Sequence, residues 1–398
     1  MSQLLEAILN RDNMALAYKK VIANKGAGGV DGIGVEEIDA YLRENWSEIR
    51  EKIRNRKYKP QPVRRVEIPK PNGGVRNLGI PTVVDRIIEQ AIAQKLTPMC
   101  EPLFSEYSYG FRPKRSAQQA VMKLLEYFND GYTYIVDIDL EKFFDNVPQD
   151  KLMYLVHRII NDGDTESLIY KYLRAGVMID GVYEETDKGT PQGGNLSPLL
   201  SNIMLNELDK ELEARKLHFV RYADDCVITV GSSAAANRVM HTVTSWIERK
   251  LGLKVNATKT KVTKPTQLKY LGFGFWKGTD GWKARPHEDS VARFKYKLKM
   301  LTNRSWSVSM DERIEKINAV IRGWINYFKI GNMKKVLVRI DEHLRTRMRI
   351  VIWKQWKTGE KRYWGLRKLG APKWMAQQSA GFGGHYQAVA KTAGLRLI

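Results

Sequence analysis

Two aspartates stand side by side in "FVRYADDCVITV", residues 219–230, inside a run that otherwise reads as β-strand. Asp is common where a hairpin reverses, and "CVITV" is rich in β-branched residues, so a turn between two strands accounts for this stretch taken alone. Adjacent carboxylates have a second use. Each resists ionising beside its twin unless a cation neutralises the pair, so Asp224 and Asp225 suit a metal site, provided a third acid comes from elsewhere. The segment "YTYIVDIDLEKFFDNV" offers one. With a period of two, Tyr134, Val136, Ile138 and Leu140 share one strand face, and Ile135, Asp137 and Asp139 share the other. The chain then turns helical, which leaves Asp139 at the carboxyl end of its strand, where sites in mixed α/β folds gather.

Asp139, Asp224 and Asp225 together make a hard-oxygen set suited to Mg²⁺, which favours few protein oxygens plus substrate phosphates. Two such ions roughly 3.5 to 4 Å apart serve an in-line phosphoryl transfer, activating a 3′-hydroxyl and stabilising the leaving oxygen. That is polymerase chemistry. Arg76, and secondarily Lys70, are placed to neutralise a triphosphate, and Lys259 to protonate departing pyrophosphate.

The elements that must hold these groups follow from local signals. The first 55 residues read as helical around a Gly-rich loop, "NKGAGGVDGIG", which lacks the Lys-Ser/Thr ending of a P-loop and so argues against ATP binding. "PVRRVEIPKPNGGVRNLGIP" reads as a basic β-hairpin turning at "PNGG", with Arg64, Lys70 and Arg76 projecting. A helix starts at "TVVDRIIEQAI"; another is capped by Ser116 after a loop carrying Arg112, Lys114 and Arg115, with Arg112 expected to reach template or nucleotide. "KGTPQGGNLSPLLSN" gives a loop whose Gly189, Gly193 and Gly194 either admit a close neighbour or take positive φ, then a helix with Ser197 as cap and Pro198 in its first turn. After the Asp-Asp hairpin come a helix over residues 239–251, a second strand pair in "KYLGFGFWKGTDGWKARP", and helices over residues 290–369.

With 398 residues, 43% of them hydrophobic, the chain can bury a large core in two or three packed lobes. Its net charge is +22, of which residues 291–370 hold +15. That block, interleaved with Trp306, Trp324, Tyr327, Phe328, Trp353, Trp356 and Trp364, suits a polyanion: aromatics mostly buried, basic face on nucleic acid, with Arg339, Arg345, Arg347 and Arg349 as RNA contacts. Cys100 and Cys226 alone give no disulfide framework and no zinc spacing. The apolar runs fall short of the roughly 18 residues that span a bilayer, and Glu6 interrupts any signal-peptide core, so a cytoplasmic, bacterial protein without membrane partners is predicted.

The ordered blocks "VDIDLEKFFD", "TPQGGNLSPLLSN", "VRYADDCV", "LKVNATKTKV" and "YLGFGF" resemble the palm motifs of reverse transcriptases encoded within group II introns. "KGAGGVDG", "RNLGIPTVVDRIIEQAI" and "YGFRPKRSAQQAV" are similar to the same family, and "IRGWINYFKIG" resembles its maturase, or thumb, segment. The resemblance implies an α+β right-hand polymerase: a helical extension over 1–60, fingers and palm (antiparallel sheet plus helices) over 61–285, and a helical thumb or maturase domain over 286–398. It implies Asp139, Asp224 and Asp225 as ligands of two Mg²⁺ ions, Phe144 as the steric gate against a 2′-hydroxyl unless Phe143 and Phe144 are both core, and Gln192 and Gly193 against the nascent base pair. Asp137 matches no ligand position and reads as a bystander. The implied activity is RNA-directed DNA synthesis from a DNA primer on an RNA template with dNTPs, plus binding of intron RNA for splicing and mobility into target DNA. The ending holds no HNH-like cysteines, so target-strand cleavage is not expected. A defence or CRISPR-associated reverse transcriptase and a non-catalytic splicing factor stay open as alternatives, and the oligomeric state is not set, a homodimer being compatible with the sequence.

Overall fold

The computed structural model describes residues 2–69, 73–191, 193–384, 386–392 and 394–397. The chain divides into two compact units, residues 1–264 and 265–398.

The first unit begins with α1 (Gln3–Ile8), α2 (Arg11–Ala23) and α3 (Ile38–Arg54). The basic hairpin follows as β1 (Val63–Pro69) and β2 (Val75–Ile80), antiparallel from Arg64 opposite Ile80 to Pro69 opposite Val75. α4 (Val83–Cys100) starts at Thr82, whose hydroxyl accepts from the Asp85 amide at 3.1 Å. α5 (Ala117–Asn129) is capped by Ser116 as its sequence signal requires. Then come β3 (Tyr134–Ile138), α6 (Phe143–Asn146), α7 (Gln149–Ile160), α8 (Gly163–Leu173), β4 (Val177–Ile179) and β5 (Val182–Glu184). α9 (Ser197–Ala214), β6 (His218–Tyr222), β7 (Asp225–Val230), α10 (Ser233–Trp246) and β8 (Lys261–Thr263) complete the unit. Ser197 is the first residue of α9 rather than its cap, its hydroxyl donating instead to the Pro191 carbonyl at 2.7 Å.

The central sheet has the order β6-β7-β3-β8, antiparallel throughout. Val136 and Ile138 on one face of β3, and Leu140 just beyond its end, join the main core with Ile228, Phe219 and the inner residues of α4 and α9. The strand is thereby pinned in register, because a one-residue slip would turn its acids into the core. The second sheet, β2-β1-β4-β5, departs from the antiparallel expectation: β1 pairs parallel with β4, Val63 opposite Val177. A parallel pair needs a long crossover, here more than a hundred residues, and carries no local sequence signal.

The second unit opens with the hairpin β9 (Phe273–Gly278) and β10 (Gly281–Pro286), then α11 (Glu288–Leu301), α12 (Met310–Phe328), α13 (Lys334–Gln355), α14 (Gly359–Lys368), α15 (Lys373–Ala380) and α16 (Tyr386–Val389). The hairpin packs with these helices: Phe273 stacks on Tyr327 with ring centroids 5.7 Å apart, and the Tyr327 hydroxyl donates to the Leu271 carbonyl at 2.9 Å. Among the described residues no helix is long and apolar enough to cross a membrane.

Candidate active site

The pairing of β3 with β7 sets Ile138 opposite Cys226, so Asp139 and Asp225 emerge one step further on, at the same end of neighbouring strands. Tyr222 pairs with Asp225 across the β6–β7 reversal, leaving Ala223 and Asp224 as the turn. Ala223 takes φ +57°, the left-handed conformation of a tight reversal. The turn and the metal-site readings are therefore the same piece of chain.

Three supports fix that turn from behind. Arg221 is fully buried, its Nε 2.7 Å from Asp209 Oδ1 and its Nη2 2.5 Å from Oδ2, while Nη1 donates to Asn202 Oδ1 and to the Ala223 carbonyl at 2.9 Å. Gly110 lies flat against the turn, where a Cβ would come within 2.2 Å of the Ala223 nitrogen. The Asn202 amide ties the Gly110 carbonyl at 2.9 Å. Arg221 is the residue that motif reading missed, although a lone arginine in the apolar strand "HFVRY" is the signal for it. Arg221→Ala strands Asp209 as a buried unpaired charge, with an expected loss of about 3–5 kcal/mol in chemical denaturation.

The acids crowd one another. Burial, then Asp224, Asp137 and Asp139, push the Asp225 carboxyl up to about 7, with Lys259 opposing. Asp225 is an exposed residue at the start of β7, followed by the buried run Cys226 to Val230. Asp224 is raised chiefly by burial and then by Asp139, with Arg76 and Arg221 pulling the other way. Asp137 adds its negative field to Asp225 and so is more than a bystander electrostatically. Lys259 pairs with Asp139 at 3.2 Å and acts as its counter-ion, and the Asp139 backbone is anchored by the Asn256 amide at 2.8 Å. Clustered hard oxygens that repel each other fit a divalent cation, although among the described residues the side chains do not converge into a ready cage.

A cavity of about 360 Å³ in the same unit is lined in part by Arg65, Asn77, Lys142, Phe144, Asp145, Lys188 and Thr190. The two adjacent phenylalanines divide the work. Phe143 is core, and Phe144 packs edge-on against it at 5.3 Å with its other side on the cavity. The Thr190 amide donates to the Phe144 carbonyl at 2.7 Å, and Gly189, at φ +88°, sits where a Cβ would strike that same carbonyl. Gly193 meets β2 directly, since a Cβ there would fall 2.2 Å from the Gly79 carbonyl. Lys70 and Gln192 lie outside the described residues.

Glu89 was not foreseen. It is buried beneath the loop after Gly193 and accepts the Asn195 amide at 2.6 Å, with Gly194 leaving room for its carboxyl. One turn earlier, Asp85 accepts Thr82, Tyr58 and Tyr172 hydroxyls. Two acids at i and i+4 in the apolar "VVDRIIEQAI" were the available signal. Burial, followed by the Asp85 charge, raises Glu89 to about 8, so its ionisation costs stability that is fully present below the unfolded value and lost as pH rises through 8. Glu89→Gln is expected to flatten the fall in melting temperature between pH 6 and 9, as followed by scanning fluorimetry.

Arg112 does not reach toward a substrate. It is buried, pairs with Glu101 at 3.1 Å, donates to the Ser105 and Ser108 carbonyls, and lies over the Phe104 ring. Its charge holds the loop before α5 together. Arg64 likewise turns inward onto the Gly28 carbonyl at 2.8 Å, whereas Arg76 is exposed on β2. In the helical unit Arg339 and Arg345 are exposed, the latter paired with Asp341. Arg347 and Arg349 are half-buried: Arg347 donates to Thr302 Oγ1 at 2.6 Å and to two backbone carbonyls, so its office is to tie α13 to the end of α11.

A two-acid strand end completed by a neighbouring Asp-Asp turn, with the basic hairpin's Arg76 felt at Asp224, is the palm of a template-directed polymerase. Residues 68–275, more than half of the chain, match the family described as "Reverse transcriptase (RNA-dependent DNA polymerase)", and the chain belongs to that family. Residues 291–370 match the "Group II intron, maturase-specific domain", which makes it a reverse transcriptase of the group II intron kind. It is similar to Protein YkfC of Escherichia coli (strain K12), 34% identical over 65% of this chain and 79% of that protein. It is also similar to the group II intron-encoded protein LtrA of Lactococcus lactis subsp. cremoris, at 31% over 68% of this chain and 56% of LtrA. A putative COX1/OXI3 intron 2 protein of Saccharomyces cerevisiae is 26% identical over 84% of this chain and 45% of its own length. The chain thus spans about half the length of the last two.

Proposed function

We propose that the chain extends a DNA primer on an RNA template using two Mg²⁺ ions, and that its helical unit binds intron RNA to assist splicing and insertion into target DNA. The observation that carries this reading is the juxtaposition of Asp139 with the Asp224-Asp225 turn at one end of the central sheet. Asp139, Asp224 and Asp225 are the residues that would hold the ions, which supply activation of the 3′-hydroxyl and neutralisation of the leaving oxygen. Arg76, exposed on the hairpin and felt electrostatically at Asp224, pairs with the incoming triphosphate. Phe144 presents its ring to the sugar. The Gly193 backbone, pressed on Gly79, offers a smooth wall to the nascent base pair. Lys259 is placed to hand a proton to pyrophosphate. For the RNA contacts, the exposed Arg339 and Arg345 are retained. Primer extension with dNTPs and Mg²⁺ on an RNA template tests the reading, and a chain that binds RNA yet extends no primer would refute it.

A further inference from the structure

The maturase-family match stops at residue 370, yet the chain beyond it packs back onto the matched helices. Ala371, Ala376, Val389 and Leu395 are buried with Trp353 and Leu366 in one apolar cluster. The Trp353 indole and the Arg362 guanidinium both donate to the Phe382 carbonyl, at 3.3 and 2.8 Å. The returning segment thereby sets α16 beside α13, and with the end of α11 the two form a cleft of about 1010 Å³.

Lys299, Arg304, Arg347 and Lys391 line this cleft with Tyr386 and Gln387, and among the described residues no carboxylate does. Elsewhere in the same unit cations are matched one turn away, as Lys316 is by Glu312 on α12 at 2.5 Å and Arg345 by Asp341 on α13 at 2.8 Å. Four cations converging without a counter-charge repel one another, a cost that an anionic ligand relieves. Tyr386 brings a second chemistry. The Arg304 guanidinium lies 4.8 Å from its ring centroid, so the ring is backed by a cation in the manner that favours stacking of a base on an aromatic. Arg347 is fixed in the wall by Thr302, so the cationic character is built in rather than a matter of loose side chains.

We propose that this cleft binds a single-stranded polynucleotide, its phosphates between Lys299, Arg304 and Lys391 and one unpaired base on Tyr386. A duplex is disfavoured because its bases are not available to the ring. The inference rests on the reading that the helical unit binds RNA and gives the segment after residue 370 its part in it.

The test is equilibrium binding of RNA and DNA single strands of the same sequence to the full chain across a salt series. Lys391→Glu alters an exposed side chain and Tyr386→Leu keeps an apolar filler; Lys373→Glu, exposed on α15 outside the cleft, is the matched charge control. Tyr386→Leu is expected to weaken binding about tenfold with the salt slope unchanged. Lys391→Glu is expected to lower the slope of log affinity against log salt by about 0.7 or more, beyond the control. Tighter binding of RNA than DNA assigns the cleft to RNA, and equal binding to a single strand of either kind. If the parent binds and both cleft variants behave like Lys373→Glu, the cleft assignment is overturned while the RNA-binding reading stands; if the parent binds neither strand, that reading falls and the cleft assignment with it.

Discussion

Replacing Asp224 and Asp225 together by Asn lowers primer extension on an RNA template by roughly a thousandfold, about 4 kcal/mol of barrier at 1.36 kcal/mol per decade, while leaving the protein at least as heat-stable as the parent. The two halves of this expectation separate a site from a scaffold. A hairpin turn kept for structure loses stability when its Asp residues change. Here the Asp225 carboxylate is opposed by Asp224, Asp137 and Asp139, so neutral amides of the same shape relieve repulsion. The turn itself is held by Arg221 and Gly110, which the substitution leaves intact. Gel-resolved extension and a melting curve on the same preparation read both numbers. Lost stability with retained extension would return the Asp pair to the status of an ordinary reversal.

Phe144→Ala is expected to cut the preference for dNTP over NTP by roughly a hundredfold, within the range that one pocket contact supplies. The ring lines the cavity, with Phe143 edge-on behind it and the Thr190 amide holding its backbone carbonyl, which is the basis of the expectation. Phe143→Ala makes the contrast. It removes a core ring and costs about 3–5 kcal/mol of stability with sugar selectivity retained. Competing dGTP with GTP at a single template position measures both variants. Equal selectivity in parent and Phe144→Ala would remove Phe144 from the gate.

Much of the site was legible along the chain because the signals that carry it are short-range. A period of two places Asp137 and Asp139 opposite the core face of β3, turn chemistry places Asp224 at a reversal, and hydroxyl caps begin α4 and α5 where Thr82 and Ser116 stand. The block of charge in residues 291–370 likewise marked the stretch that matches the maturase-specific domain, without reference to any contact.

Tertiary structure decided everything that depends on which group meets which across long separations. Arg112 and Arg76 look alike in sequence, but one is spent inside on Glu101 and the other stays in solvent, because a buried guanidinium is tolerated only where a carboxylate and carbonyls happen to be assembled around it. Phe143 and Phe144 are neighbours with identical side chains, and the direction of one short helix sends the first to the core and the second to the cavity. Glu89 finds Asn195 across 106 positions, and the parallel pairing of β1 with β4 closes a larger loop still. The sequence by itself therefore determined the chemistry, since acids, turns and caps declare themselves within a few residues. Only the fold decided which charges stay exposed and which are spent inside, since burial and pairing are properties of contacts that the linear order does not contain.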